Sequence, residues 1–116
     1  MDAAKIKEPE LLAKDPALAE IVRRLVDAFQ PLRVYLFGSK ARGDDGPDSD
    51  YDIMVVVERD DRQPRHRSEQ AYRVLHGTGT AADILVWTFE DFSRRLHMVA
   101  SLPATIEREG RLIYAT

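Results

Sequence analysis

Gly38-Ser39, ten intervening residues, then Asp50-Tyr51-Asp52 form the stretch whose residue types and spacing point to chemistry. The stretch runs LFGSKARGDDGPDSDYDIMVVV from Leu36 to Val57, a polar turn between two apolar runs that read as buried strands. Alternate side chains of a strand share a face, so Asp50 and Asp52 point the same way, where two carboxylates can grip metal between them. Tyr51 points the other way.

The opening of the turn suggests what such a metal would serve. Gly38 can take backbone angles closed to other residues, and Ser39-Lys40-Ala41-Arg42 can follow as a short helical turn. A helix start presents free amide hydrogens to an anion, and the Ser39 hydroxyl adds a donor. Phosphate is the obvious anion, and a phosphate cradle beside paired carboxylates is what metal-assisted phosphoryl or nucleotidyl transfer needs. A calcium loop on Asp48, Asp50 and Asp52 is the competing reading. With Asp48 as first ligand it would need glycine at position 53 and glutamate at position 59, where the chain has Ile53 and Arg59.

The combination of GSKARG with SDYDIMVVV resembles the signature of the DNA polymerase beta-type nucleotidyltransferase superfamily, and in particular its minimal single-domain branch, the MNT domains. The resemblance implies an α/β nucleotidyltransferase fold, a small mixed sheet packed with helices in two or three layers. It also implies transfer of AMP from ATP to a hydroxyl acceptor, with two magnesium ions held by Asp50 and Asp52.

The elements that position these residues can be read in chain order. Residues 1 to 14 are polar and unpatterned up to Leu11-Leu12 and predict a loosely ordered start, with residues 15 to 116 as the folded domain. Asp15-Pro16 reads as an N-cap with proline at the first helical position. Leu18, Ile21, Val22, Leu25, Val26 and Phe29 follow at offsets of 3, 4, 7, 8 and 11, a helical stripe that Pro31 ends. Arg33 to Phe37 is the first strand and Tyr51 to Glu58 the second. So short a connection, bringing Gly38 beside Asp50, makes them antiparallel neighbours.

A helix is expected from Pro64 to His76, with Ala71, Val74 and Leu75 inward and Gly77 as terminator. Gly77-Thr78-Gly79-Thr80 reads as a turn. The third strand, Ala82 to Trp87, is reached through that helix, which favours a parallel crossover and sets its start on the same edge as the start of the second strand. Asp83 heads this otherwise apolar strand, a costly place for a carboxylate unless it is paired, metal-bound or exposed at the strand end. By resemblance, Asp83 is the third acidic ligand of the catalytic metal.

Thr88 to Asp91 fits a helix cap, with Phe89, Phe92 and Leu96 as a packing face. A last helical piece follows Pro103 to Glu109, and Leu112 to Tyr114 reads as a short edge strand. His66, His76 and His97 have no ligand spacing and read as surface residues. The run Arg62, Arg65, His66, Arg67 reads as a solvated helix start.

Composition narrows the function classes. A chain of 116 residues is one domain, and 44% hydrophobic with 32% charged residues is an ordinary globular balance. Its formal charge of -3 does not recommend long nucleic acid as partner. Without cysteine there are no disulfides or thiolate metal sites. No apolar run approaches a membrane span, and the N-terminus lacks a signal-peptide core, which makes the cytoplasm the expected location.

The resemblance assigns Gly38 and Ser39 to the β and γ phosphates. Arg42 can touch phosphate or pair with Asp44, Asp45 or Asp48 to shape the turn. Family members that modify antibiotics or extend RNA carry an added helical domain for the acceptor, so the resemblance implies an acceptor surface on another chain. It points first to an antitoxin that adenylylates a tyrosine on a helical HEPN toxin. Two other readings are a catalytic subunit that modifies a small molecule such as an aminoglycoside together with a helical partner, and a non-catalytic antitoxin that binds partner and nucleotide.

Overall fold

The computed structural model describes residues 1–46 and 49–116. Four strands, β1 (Arg33–Phe37), β2 (Tyr51–Val57), β3 (Ala82–Thr88) and β4 (Arg111–Ala115), form one sheet in the order β3-β2-β1-β4. β1 lies antiparallel to both β2 and β4, and β2 lies parallel to β3, so the sheet is mixed as expected.

Helices cover both faces and make three layers. On one face α2 (Pro16–Phe29) and α4 (Pro64–Val74) pack over Val34, Leu36, Ile53, Val55, Val57, Ile84, Val86 and Ile113. On the other, α5 (Phe89–Arg94) and α6 (Leu102–Glu109) bring Phe92 and Ile106 onto Tyr35, Met54 and Val56. The alternation along β2 separates the two cores, as a strand's period of two requires.

The α2 stripe folds as its spacing predicts. Leu18, Ile21, Val22 and Leu25 are fully buried, each worth roughly 1.5–3 kcal/mol of transfer free energy. The Asp15 carboxylate accepts from the Leu18 amide at 3.1 Å, Pro16 takes the first turn, and Gln30 ends the helix in the left-handed region at φ 48.

Several elements differ from the sequence reading, each for a local reason. α4 ends at Val74, and the Leu75 amide closes the last turn on the Ala71 carbonyl at 3.1 Å. Arg67 is buried, not solvated. Its guanidinium donates to the carbonyls of Val86, Asp60 and Arg62 at 3.0, 3.3 and 2.9 Å, tying the loop after β2 to β3. α5 has only six residues, so Leu96 falls beyond its end; it is exposed together with Phe89, and of the expected packing face Phe92 alone is buried.

The start of the chain holds more structure than its composition suggested. Residues 3–5 form a 3-10 turn and Pro9–Lys14 a short helix, α1. Ile6 bridges Tyr114, the Lys7 amide donates to the Ile113 carbonyl at 2.7 Å, and Arg111 donates to the Glu8 carboxylate at 2.9 Å. These contacts span most of the chain's length and leave no local pattern to read. Among the described residues no helix is long and apolar enough to cross a membrane.

Candidate active site

The end of β1 and the starts of β2 and β3 meet at one edge of the sheet. Phe37 pairs with Asp52 across the antiparallel ladder, and Asp52 pairs with Asp83 across the parallel one. Strand neighbours stand about 4.8 Å apart, so this register puts two carboxylates side by side on the face that also carries Met54, Val56 and Leu85. Asp50 lies one residue before β2, close enough for its charge to act on Asp52. Burial, reinforced by the charges of Asp83 and Asp50, raises the Asp52 pKa above its ordinary value, while Arg42 pulls the other way.

Gly38 is fitted against this carboxylate. Its φ of +73 is left-handed, and a Cβ built there would strike the Asp52 side chain, 3.1 Å from Cγ and closer still to Oδ2. Only glycine lets the backbone approach so near. α3 (Gly38–Arg42) follows at once and ends at Gly43, where the Ser39 carbonyl accepts from the Gly43 and Asp44 amides at 2.9 and 3.1 Å.

Arg42 pairs with Asp44 at 3.2 Å, and Lys40 with Asp45 at 3.3 Å. Asp48, the third carboxylate considered for Arg42, lies outside the described residues. Tyr51 points to the opposite face, as alternation demands. Its hydroxyl donates to the Asp15 carboxylate at 2.8 Å, and Lys40 sits over its ring at 4.4 Å. Burial and the Asp15 carboxylate push its pKa up to about 12.

One contact at this edge had no signal in the sequence. Tyr72, on α4, donates its hydroxyl to Asp83 Oδ1 at 3.2 Å. Burial, then the charge of Asp83, raises the tyrosine's pKa. A tyrosine on the polar side of a predicted helix carries no hint of a partner, because the docking angle of α4 on β3 decides what it reaches.

A cleft of about 390 Å³ adjoins the edge, lined by Lys40, Ser49, Asp50, Tyr51, Gly79 and Thr80. Gly77 to Thr80 is the expected turn, and the Thr78 hydroxyl donates to the Leu75 carbonyl at 2.9 Å. A larger cleft, about 460 Å³, lies at the far ends of β2 and β3 between Glu58, Asp60, Arg62, Thr88 and Glu90. Its charges are of both signs, with Arg62 paired to Asp60 at 2.6 Å, and it lies at the opposite strand ends from the carboxylates.

The donor chemistry of the edge suits a hard divalent cation. Carboxylate oxygens are what magnesium takes, and Asp52 and Asp83 come from rigid neighbouring strands. Among the described residues no three acidic or histidine side chains form a ready-made ion cage. Register and a glycine-lined approach are what the fold provides. His66, His76 and His97 are exposed and lie in other parts of the chain.

A strand, a glycine-opened helical turn and a second strand headed by carboxylates, with a parallel third strand bringing one more, define the nucleotidyltransferase class. The chain belongs to it: the nucleotidyltransferase domain model matches residues 17–113. Among solved structures, a proposed nucleotidyltransferase from Sulfolobus solfataricus is 26% identical, with a TM-score of 0.59 over 84% of this chain and 76% of that one. A chain of the toxin-antitoxin pair MntA-HpeT, solved as a tyrosine-to-alanine mutant, is 24% identical, with a TM-score of 0.57 over 85% and 72% of the two chains. A toxin-antitoxin structure containing AMP-PNP is 21% identical, with a TM-score of 0.51 over 84% and 73%. These last two likenesses establish shared fold. No curated protein matches the chain.

Proposed function

We propose that the chain is a magnesium-dependent adenylyltransferase that moves AMP from ATP to a hydroxyl, with a tyrosine of a helical HEPN-type partner as acceptor, and so acts as the antitoxin of a toxin-antitoxin pair. The observation that carries the reading is the in-register pair Asp52 and Asp83, with Gly38 packed against the Asp52 carboxylate. The acceptor reading is supported by the toxin-antitoxin neighbours, one of which contains an ATP analogue.

In this reading Asp50, Asp52 and Asp83 hold two magnesium ions, which neutralise the nucleotide's phosphates and lower the pKa of the acceptor hydroxyl. Gly38 and Ser39 bind the β and γ phosphates through the backbone amides that open α3. Arg42, on the same short helix, exchanges its exposed pair with Asp44 for phosphate; such an exposed pair is worth roughly 0–1 kcal/mol, so the exchange costs little. Both faces of the sheet are covered by the chain's own helices, which leaves the carboxylate edge as the place where an acceptor must arrive. A tyrosine presented by a folded partner comes already oriented, and proximity supplies much of the barrier reduction.

The test is incubation with ATP, magnesium and the protein encoded beside this one. The neighbour is expected to gain the mass of one or more AMP groups on tyrosine and to lose any ribonuclease activity. Asp83→Asn should stop the mass gain and leave the complex intact. An unmodified neighbour that the Asp83→Asn protein still silences would replace the enzyme with a pure binding antitoxin.

A further inference from the structure

Resting on the transfer chemistry proposed above, we infer that the chain carries an acceptor of its own: the Tyr72 hydroxyl, held against Asp83, is a site of self-adenylylation. The chain has four tyrosines. Tyr35 and Tyr51 are buried, and their hydroxyls donate to Glu107 and Asp15 at 2.6 and 2.8 Å. Tyr114 is buried under β4's neighbours. Tyr72 alone is open, 51% exposed, and its hydroxyl alone lies on a carboxylate of the proposed site.

The placement follows from packing. β3 is an edge strand, and α4 sits on it through Ala71 and Leu75, both buried. One residue beyond Ala71 the helix has turned by about 100°, which swings Tyr72 to the side of the helix and over the strand's open edge. There it reaches Asp83, the exposed carboxylate at the start of that strand. As a fold contact, a hydrogen bond this exposed contributes little, because water competes for both partners. As chemistry it is more consequential, because the proposed transfer needs an acceptor hydroxyl beside Asp83, and the Tyr72 hydroxyl already lies there.

The step balances with a nucleoside triphosphate as co-reactant. The phenolic oxygen attacks the α-phosphorus, a new oxygen–phosphorus bond forms, and the bond from the α-phosphorus to the bridging oxygen breaks. Pyrophosphate leaves with that electron pair. The phenolic proton passes to the Asp83 carboxylate and on to water. The product is a tyrosyl phosphodiester of AMP standing in the acceptor position, so self-modification would exclude other hydroxyls and limit the protein's own activity.

The full chain is incubated alone with ATP and magnesium and followed by intact mass and peptide mapping. One AMP is expected on the peptide that contains Tyr72, at a rate per molecule independent of protein concentration, since the hydroxyl and Asp83 belong to the same chain. Tyr72→Phe, confirmed folded by circular dichroism, and Asp83→Asn should both show no gain. Modification at another residue, or none while the protein binds ATP with magnesium and modifies its partner, overturns this inference and leaves the proposed function standing. Failure to bind nucleotide at all overturns both.

Discussion

Gly38→Ala is expected to lower nucleotidyl transfer about a hundredfold or more while costing the fold about 1–2 kcal/mol. Two effects meet at this position. The left-handed φ of +73 disfavours any side chain, which accounts for the stability loss. The added methyl also meets the Asp52 carboxylate, so either the carboxylate or the backbone that opens α3 must move, and displacement of a reacting group by an ångström costs about two orders of magnitude in rate. Gly43→Ala separates the two. Its φ of +81 imposes the same backbone strain, with nothing within 4 Å of the new Cβ. Comparable loss of melting temperature with activity retained is expected there. Equal activity loss in both variants would mean that the close approach at Gly38 has no catalytic meaning.

The second large effect is expected for Asp50→Ala combined with Asp52→Ala. Transfer should fall to background, yet the metal-free protein should melt at an unchanged or higher temperature. The sign follows from the raised pKa of Asp52. A carboxyl whose folded pKa lies above its unfolded value binds more protons when folded, so stability falls as pH rises through that window and the penalty is complete above the folded pKa. At neutral pH, removing the group removes the penalty. The advantage of the double variant should shrink as pH drops through the carboxylate range, where Asp52 is neutral in the parent protein. Thermal unfolding across pH checks this; a double variant that melts several degrees lower at neutral pH would mark these residues as pins of the turn.

Much of this arrangement was legible because it rests on local pattern and short connections. The spacing of Leu18 to Phe29 gave a helix with its cap at Asp15, and the brief link from Phe37 to Tyr51 required antiparallel pairing. Passage through a helix from β2 to β3 favoured the parallel register that aligns Asp52 with Asp83. What was not legible depends on docking. Tyr72 meets Asp83, Tyr51 meets Asp15 and Glu8 meets Arg111 only because helices settle at particular angles against particular strands. Arg67 misleads for the same reason. Its neighbours in sequence are solvated, but it lies on the buried face of α4 and satisfies its guanidinium on three carbonyls rather than on water. Leu96 shows the limit of periodicity in short elements, since a face read over eight positions has no meaning in a helix of six residues.

The central claim is that carboxylates at one sheet edge bind nucleotide through a divalent cation, and calorimetric titration of ATP tests it most directly. Three carboxylates at one edge repel a bare triphosphate, so ATP should bind the parent protein with magnesium and fail to bind with a chelator in its place. The Asp50→Ala, Asp52→Ala protein should not bind under either condition. Equal affinity with magnesium and with chelator, or undiminished magnesium-dependent binding by the double variant, would contradict the account.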